Sequence, residues 1–409
     1  MIDNQGHAKL RRLVSQGLSD SHVRAYDSEL RQSALLFTTR LGEKQDRFEP
    51  NQFEVDNDGW SAPKNMASWS NFFTFDVMSH LVFGTSYDLL TNSENHWVID
   101  GVLGQMRRIS FLTMLPELED MRFDRLLFPD ARRKAFRFSI KSREIMEARK
   151  NRETKNGEGK TEEGKVDLFS KLLAAKDPET GEGLSDKQLW AESNLMIIAG
   201  SDTSSTGIAA TFFYLSRNPS AYARATREVR KTLTSQEDIG QGPKLNLCTY
   251  LRACIMESMR LSPPASGAMW RQVTAGGLHI PGSDLDIPSG CEIGTGVYAL
   301  HHNEKYYPEP FEFRPERWLP EEVGEDAVAV AKSAFNTFSI GPRGCPGRHL
   351  AMVEITLAMA AVIKSYDFRK MESDLADVGE GKGPFAGQYQ TFWTFTSLKD
   401  GPYIQFKPV

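Results

Sequence analysis

Phe338-Ser339-Ile340-Gly341-Pro342-Arg343-Gly344-Cys345-Pro346-Gly347 is the stretch on which the fold is read. Three glycines and two prolines crowd around one cysteine. Glycine has no Cβ, so such a loop lets backbone N–H groups approach the Cys345 sulfur closely. A helix beginning near Arg348 points its positive end at the same atom. Both effects favour a thiolate, and Arg343 adds a charge nearby. A fixed thiolate suits a metal ligand or a nucleophile. A tight turn that merely holds a core cysteine is the plainer alternative. A cysteine hydrolase would need a neighbouring histidine and an oxyanion hole. The nearest downstream histidine, His349, sits where the helix already begins, which disfavours that chemistry.

Around this loop lies a chain of 409 residues, 40% hydrophobic and 25% charged. It can bury a large core, which excludes a disordered, collagen-like or disulfide-scaffold protein. Its net charge of -5 argues against a nucleic-acid partner held by bulk charge. The four cysteines, Cys248, Cys254, Cys291 and Cys345, form no Cys-x-x-Cys pair, as expected of reduced thiols in an intracellular compartment. No run of 18 apolar residues predicts a spanning helix. The first dozen residues have no apolar core of a signal peptide, and no internal repeat is present.

The patterning predicts a mainly α protein with a small β part, in a single domain over residues 1–409. Apolar residues recur at helical spacing from Leu10 to about Leu41, interrupted at Ser19-Asp20-Ser21. A second, aromatic-rich helix runs from about Asn65 to Phe83. Residues 149–165 are charged and lack large apolar side chains, so they read as a mobile surface loop. Ser185 and Gln188 form a capping box, with Leu184 and Leu189 as its hydrophobic staple. The helix they open is apolar nearly all round, which places it at the protein centre. Further helices are predicted after Pro219, over 248–262 and over 348–365. Short β segments punctuated by glycine and proline fill Trp270 to Val297. The tail from Thr391 to Phe406 alternates like a hairpin with Asp400-Gly401 as its turn.

Inside the central helix, Ala199-Gly200-Ser201-Asp202-Thr203-Ser204 collects poor helix formers. Such a stretch makes either a bend with locally bonded hydroxyls or a widened turn that opens a groove for a small ligand. Glu257-Ser-Met-Arg260 by itself is an ordinary i,i+3 ion pair. His80 reads as a core histidine, and His301 and His302 as structural.

The pattern Phe-x-x-Gly-x-Arg-x-Cys-x-Gly resembles the haem-binding signature of the cytochrome P-450 family. Five fixed residues at this spacing arise by chance in on the order of one in ten thousand chains of this length. The resemblance implies the fold of that family, with haem b as cofactor and Cys345 as the axial ligand of its iron. A thiolate ligand favours O–O cleavage. By the same resemblance Arg343 pairs with a haem propionate and Phe338 packs under the ring. Arg271 falls where a second propionate ligand is expected, and His7 and Arg11 resemble a further propionate-reaching segment. Ala199 to Ser204 looks like the family's central-helix motif. It implies that Thr203 hydrogen-bonds dioxygen, that Asp202 relays protons from solvent, and that Gly200 lets the helix pass over the haem. Ala199, Ser266, Ala268 and Met269 are implied to face the substrate. Glu257 and Arg260, joined by Arg317 of Phe313-Arg-Pro315-Glu-Arg317-Trp318, are implied to form a buried structural network.

The implied activity is a haem-thiolate monooxygenase of the fungal secondary-metabolism type. It would hydroxylate or epoxidise a small hydrophobic substrate, with electrons from NADPH through NADPH–cytochrome P-450 reductase, a flavoprotein. Two alternatives of the same fold stand beside it: an isomerase or dehydratase that needs no external electrons, and an inactive truncated paralogue. The resemblance starts at the family's C helix. The preceding helix, opening strands and B–C loop have no counterpart here, which predicts an exposed strand edge. A truncated reading frame and a shortened protein both fit that departure. An anchor in a longer gene product would put the protein on the cytosolic face of the endoplasmic reticulum; without one, the cytoplasm is expected.

Overall fold

A computed structural model of the chain describes residues 4–48, 58–115, 117–120, 122–156 and 167–409. Among the described residues the longer helices are α1 (Asn4–Gly17), α2 (Asp27–Leu41), α3 (Met66–Phe83), α4 (Trp97–Met114), α5 (Pro129–Asn156), α6 (Asp186–Arg217), α7 (Pro219–Thr232), α8 (Thr249–Leu261) and α9 (Arg348–Ser365). The strands are β1 (Lys64–Asn65), β2 (Arg271–Gln272), β3 (Leu278–His279), β4 (Asp286–Ile287), β5 (Glu292–Ile293), β6 (Tyr366–Lys370), β7 (Thr391–Thr394), β8 (Thr396–Lys399) and β9 (Tyr403–Pro408). Among the described residues no helix is long and apolar enough to cross a membrane.

The central helix is where the patterning placed it. Ser185 and Gln188 form both halves of the capping box that opens α6. The helix then packs along α3 through the core. Thr74 Oγ1 donates to Ser201 O at 2.9 Å, and Ser201 Oγ returns a bond to Thr74 O at 3.2 Å. These reciprocal bonds satisfy buried hydroxyls across the pair, so polar residues cost little at the centre. Gly200 allows the close approach: a Cβ there would lie 2.7 Å from Met78 Sδ.

The widened turn over Ala199 to Ser204 is not formed, and α6 is continuously α-helical. Its hydroxyls bond back along the helix instead: Ser201 to Ile197 O, Thr203 to Ala199 O, and Thr206 to Asp202 O. The predicted helix from Leu10 begins earlier, at Asn4, and breaks after Gly17 as expected.

Two boundaries need correction. Residues 149–156 continue α5 rather than starting a loop. Charge misled there: the Arg149 side chain is buried, bonded to Asp167 and Ser170, and lies over the Phe169 ring. Residues 157–166 of the expected loop lie outside the described residues. In the tail, the hairpin is β7–β8, and it turns at Phe395 (φ 70°). Asp400-Gly401 instead leads into a different sheet, ordered β1-β9-β6 and antiparallel throughout. Asn65 holds that passage, donating to Asp400 Oδ1 at 2.7 Å and accepting from Gly401 N. In the 270–297 region β2 pairs with β5 and β3 with β4. Trp270, Leu278 and Leu285 are exposed there.

Candidate active site

The loop 338–347 is held from behind by a buried charge network. Glu257 accepts from Arg260 Nε and Nη2 at 2.9 Å each, and from Arg317 Nε at 2.9 Å. Trp318 Nε1 (3.0 Å) and Arg314 N (3.1 Å) complete its shell. Burial alone would raise the Glu257 carboxyl, but the Arg260 and Arg317 charges hold it below its usual range. The spare guanidinium donors reach the carbonyls of His301, Pro310, Glu312 and Pro308. Every partner is paired, which is the condition under which buried charges are tolerated.

His301 links this network to the cysteine loop. The Asn336 amide donates to His301 Nε2 at 2.9 Å, so Nδ1 carries the proton and donates to Arg260 O at 3.1 Å. Burial pushes the ring's pKa down to about 3, so it stays neutral. His301 also stacks on Phe335, which packs edge-on against Trp318. Nothing local in the sequence marks Trp318 or this role of His301.

A cavity of about 360 Å³ lies between this loop and α6. Cys345, Phe338 and Arg343 line it from the loop, and Ala199, Gly200 and Thr203 from α6. Leu350, Ala351 and Ile355 of α9 close another side. Gly341 takes φ 67°, a backbone state that favours glycine, and Cys345 N donates to Phe338 O at 2.7 Å. Arg348 lies over the Phe338 ring. Burial pushes the Cys345 thiol up. The Gly347 and Arg348 amides and the Arg11 and Arg348 charges pull it down without overcoming that burial. The loop geometry alone therefore does not favour the thiolate; a bound metal ion would take the proton's place.

Three arginines and His7 gather at one end. His7 titrates below its usual value because of burial and then the neighbouring Arg343, Arg11 and Arg271 charges. Their hydrogen bonds go to neutral oxygens: Arg11 to Gly344 O, Arg343 to Asn4 Oδ1, and Arg271 to Trp270 O. None of the four pairs with a carboxylate among the described residues. A thiol facing an apolar cavity, with unpaired guanidiniums at its rim, fits a flat iron macrocycle bearing two carboxylates. Haem satisfies that donor set: Cys345 would hold the iron, and Arg343, Arg11, Arg271 and His7 its propionates.

Other expected residues are placed differently. Asp202 is buried but does not line the cavity; it faces Lys399, 3.4 Å away. Ser266 and Ala268 do not line it either. The Ser266 carbonyl accepts from Tyr298 N at 3.0 Å, and Ala268 bridges to Gly296. Met269 does line the cavity, joined by Pro264 and Ala265 of the same connection. Glu354 was also missed. It is 1% exposed, and burial pushes its carboxyl up to about 8 against the opposing pull of the Ser204 hydroxyl. Ser204 lines the same cavity. The only signal was one acid in the otherwise apolar run of α9.

The chain belongs to the cytochrome P450 family, whose model matches residues 4–386. It is 75% identical over its whole length to the cytochrome P450 monooxygenase apf7 of Gibberella fujikuroi, covering 77% of that protein. It is 40% identical to a cytochrome P450 monooxygenase of Gibberella zeae, over 99% of this chain and 90% of that one. It is 38% identical to the monooxygenase AKT7 of Alternaria alternata, over 100% of this chain and 76% of that one. The fold matches a crystal structure of the cytochrome P450DA heme domain at TM-score 0.72 and 20% identity, over 98% of this chain and 76% of that one. It is thus a cytochrome P450 monooxygenase of the fungal secondary-metabolism kind, an oxidoreductase that binds haem iron.

Proposed function

We propose that this monooxygenase inserts one oxygen atom of O2 into a small hydrophobic substrate, with electrons supplied by NADPH through a flavoprotein reductase. The carrying observation is that Cys345 and Thr203 line one apolar cavity whose wall includes Arg343, the arginine that stands with Arg11, Arg271 and His7. Haem bound there supplies oxygen activation, which a thiolate ligand assists. Arg343, Arg271, Arg11 and His7 orient it by its carboxylates. Ala199, Met269 and Leu350 exclude water from the space beside it. Thr203 Oγ1 donates to Ala199 O at 2.7 Å, so rotation about its Cα–Cβ bond would turn that proton towards the cavity. Asp202 would supply a proton only after loosening from Lys399. We place the protein inside the cell, where a reductase and reduced thiols are available.

The test is the carbon-monoxide difference spectrum of the dithionite-reduced, purified protein. A red-shifted, thiolate-type Soret band is expected, and Cys345→Ala removes it. Turnover of a hydrophobic substrate without any reductase would instead support an isomerase or dehydratase.

A further inference from the structure

The wall that α6 gives to the cavity carries a charge that monooxygenation does not use. Glu192, Leu195, Met196, Ala199, Gly200 and Thr203 all line the cavity. Their spacing of three and four residues puts them on one helical face. Glu192 is the one ionisable residue on that face. At a rise of about 1.5 Å per residue it lies roughly 16 Å along the axis from Thr203.

Glu192 makes no hydrogen bond or ion pair with the described residues. Its helical neighbours three and four positions away are Gln188, Leu189, Leu195 and Met196. No cation is therefore within intrahelical reach. Burial pushes its carboxyl pKa up, with no compensating partner. Beside it, Leu195 leaves 58% of its surface exposed. The cations of the cavity are spoken for at the opposite role: Arg343 stands with His7, Arg11 and Arg271 around the cysteine loop. An acid at one end of an apolar strip that lines a cavity is a surface complementary to an amphipathic cation.

We propose that Glu192 anchors the substrate's head group and that this group is a protonated amine. The apolar body lies along Leu195, Met196 and Ala199, and the carbon to be oxidised sits beside Thr203, roughly 16 Å from the ammonium. The assignment rests on the monooxygenase reading and names its substrate class. Glu192 acts here as a specificity-determining residue.

The test uses haem-loaded protein and three probes kept below their aggregation limits: dodecylammonium, dodecanol and dodecanoate. Dissociation constants are read by calorimetry, which does not depend on turnover. One charge-assisted hydrogen bond predicts that dodecylammonium binds about tenfold more tightly than dodecanol. Glu192→Gln brings the two to parity while leaving dodecanol unchanged, and Glu192→Lys transfers the preference to dodecanoate. Equal binding of amine and alcohol by the native protein overturns the assignment. So does a preference that survives Glu192→Gln. Absence of the thiolate-type carbon-monoxide band overturns the monooxygenase reading itself, whereas loss of the amine preference with that band intact overturns the Glu192 assignment alone.

Discussion

Lys399 Nζ stands 3.4 Å from Asp202 Oδ1, and both side chains are all but sealed from solvent. The pair joins the C-terminal hairpin to the centre of α6. Lys399 also donates to Asn71 Oδ1 at 3.3 Å, and Ser205 Oγ bonds the same oxygen at 2.6 Å. Asp202 Oδ2 has no partner. The acid beside Thr203 is thus held on the far side of the helix from the cavity.

Removing the cation should strand a buried carboxylate. Lys399→Met is expected to destabilise the protein by about 3 kcal/mol, and Asp202→Asn on that background to restore much of the loss. Denaturant unfolding of the two variants measures this. If the single substitution leaves stability unchanged, the pair is not a buried ion pair in solution.

Glu354 makes stability depend on pH. Its folded carboxyl titrates at about 8, against an ordinary 4.5. The folded state therefore holds its proton through a window in which the unfolded chain has lost it. Stability contributed by this group is complete below pH 4.5 and declines as pH rises towards 8. Glu354→Gln should flatten that slope and make the variant the more stable protein at pH 8, by a difference on the order of a few kcal/mol. Unfolding free energies measured at intervals between pH 5 and 8 decide it.

His301 should matter to the cysteine loop although it never touches the cavity. His301→Phe keeps a ring against Phe335 but leaves the Asn336 amide without an acceptor. A buried orphan donor costs about 1–3 kcal/mol. Haem loss from the variant should quicken, because Asn336 is two residues from Phe338. Haem retention at native rates in a normally folded variant would show that the tether is dispensable.

The cation cluster predicts a graded effect on cofactor binding. Arg343→Leu and Arg11→Leu should each speed haem dissociation, the double variant by about tenfold or more, from lost charge-assisted bonds. Transfer of haem to an apo-acceptor protein gives the rates. The effect should shrink at high salt if the contacts are solvent-accessible.

Much of this site was legible in the chain because its signals are local. Gly341, Arg343 and Cys345 fall within five residues. The capping box needs only Ser185 and Gln188. Glu257 and Arg260 share one helix face, and Arg317 lies in a recognisable Pro-Glu-Arg-Trp turn. Each is a short-range pattern whose geometry follows from backbone periodicity and turn chemistry. The direction of Asp202, the buried place of Arg149, and the departure of β9 to a strand beside β6 were set otherwise. So were the raised Cys345 thiol and the raised carboxyls of Glu192 and Glu354. These depend on which distant element packs against each residue, and so on desolvation and on charges brought close by the fold. Periodicity tells which face a residue occupies, but the dielectric and the partner it meets there come only from the packing of the whole chain.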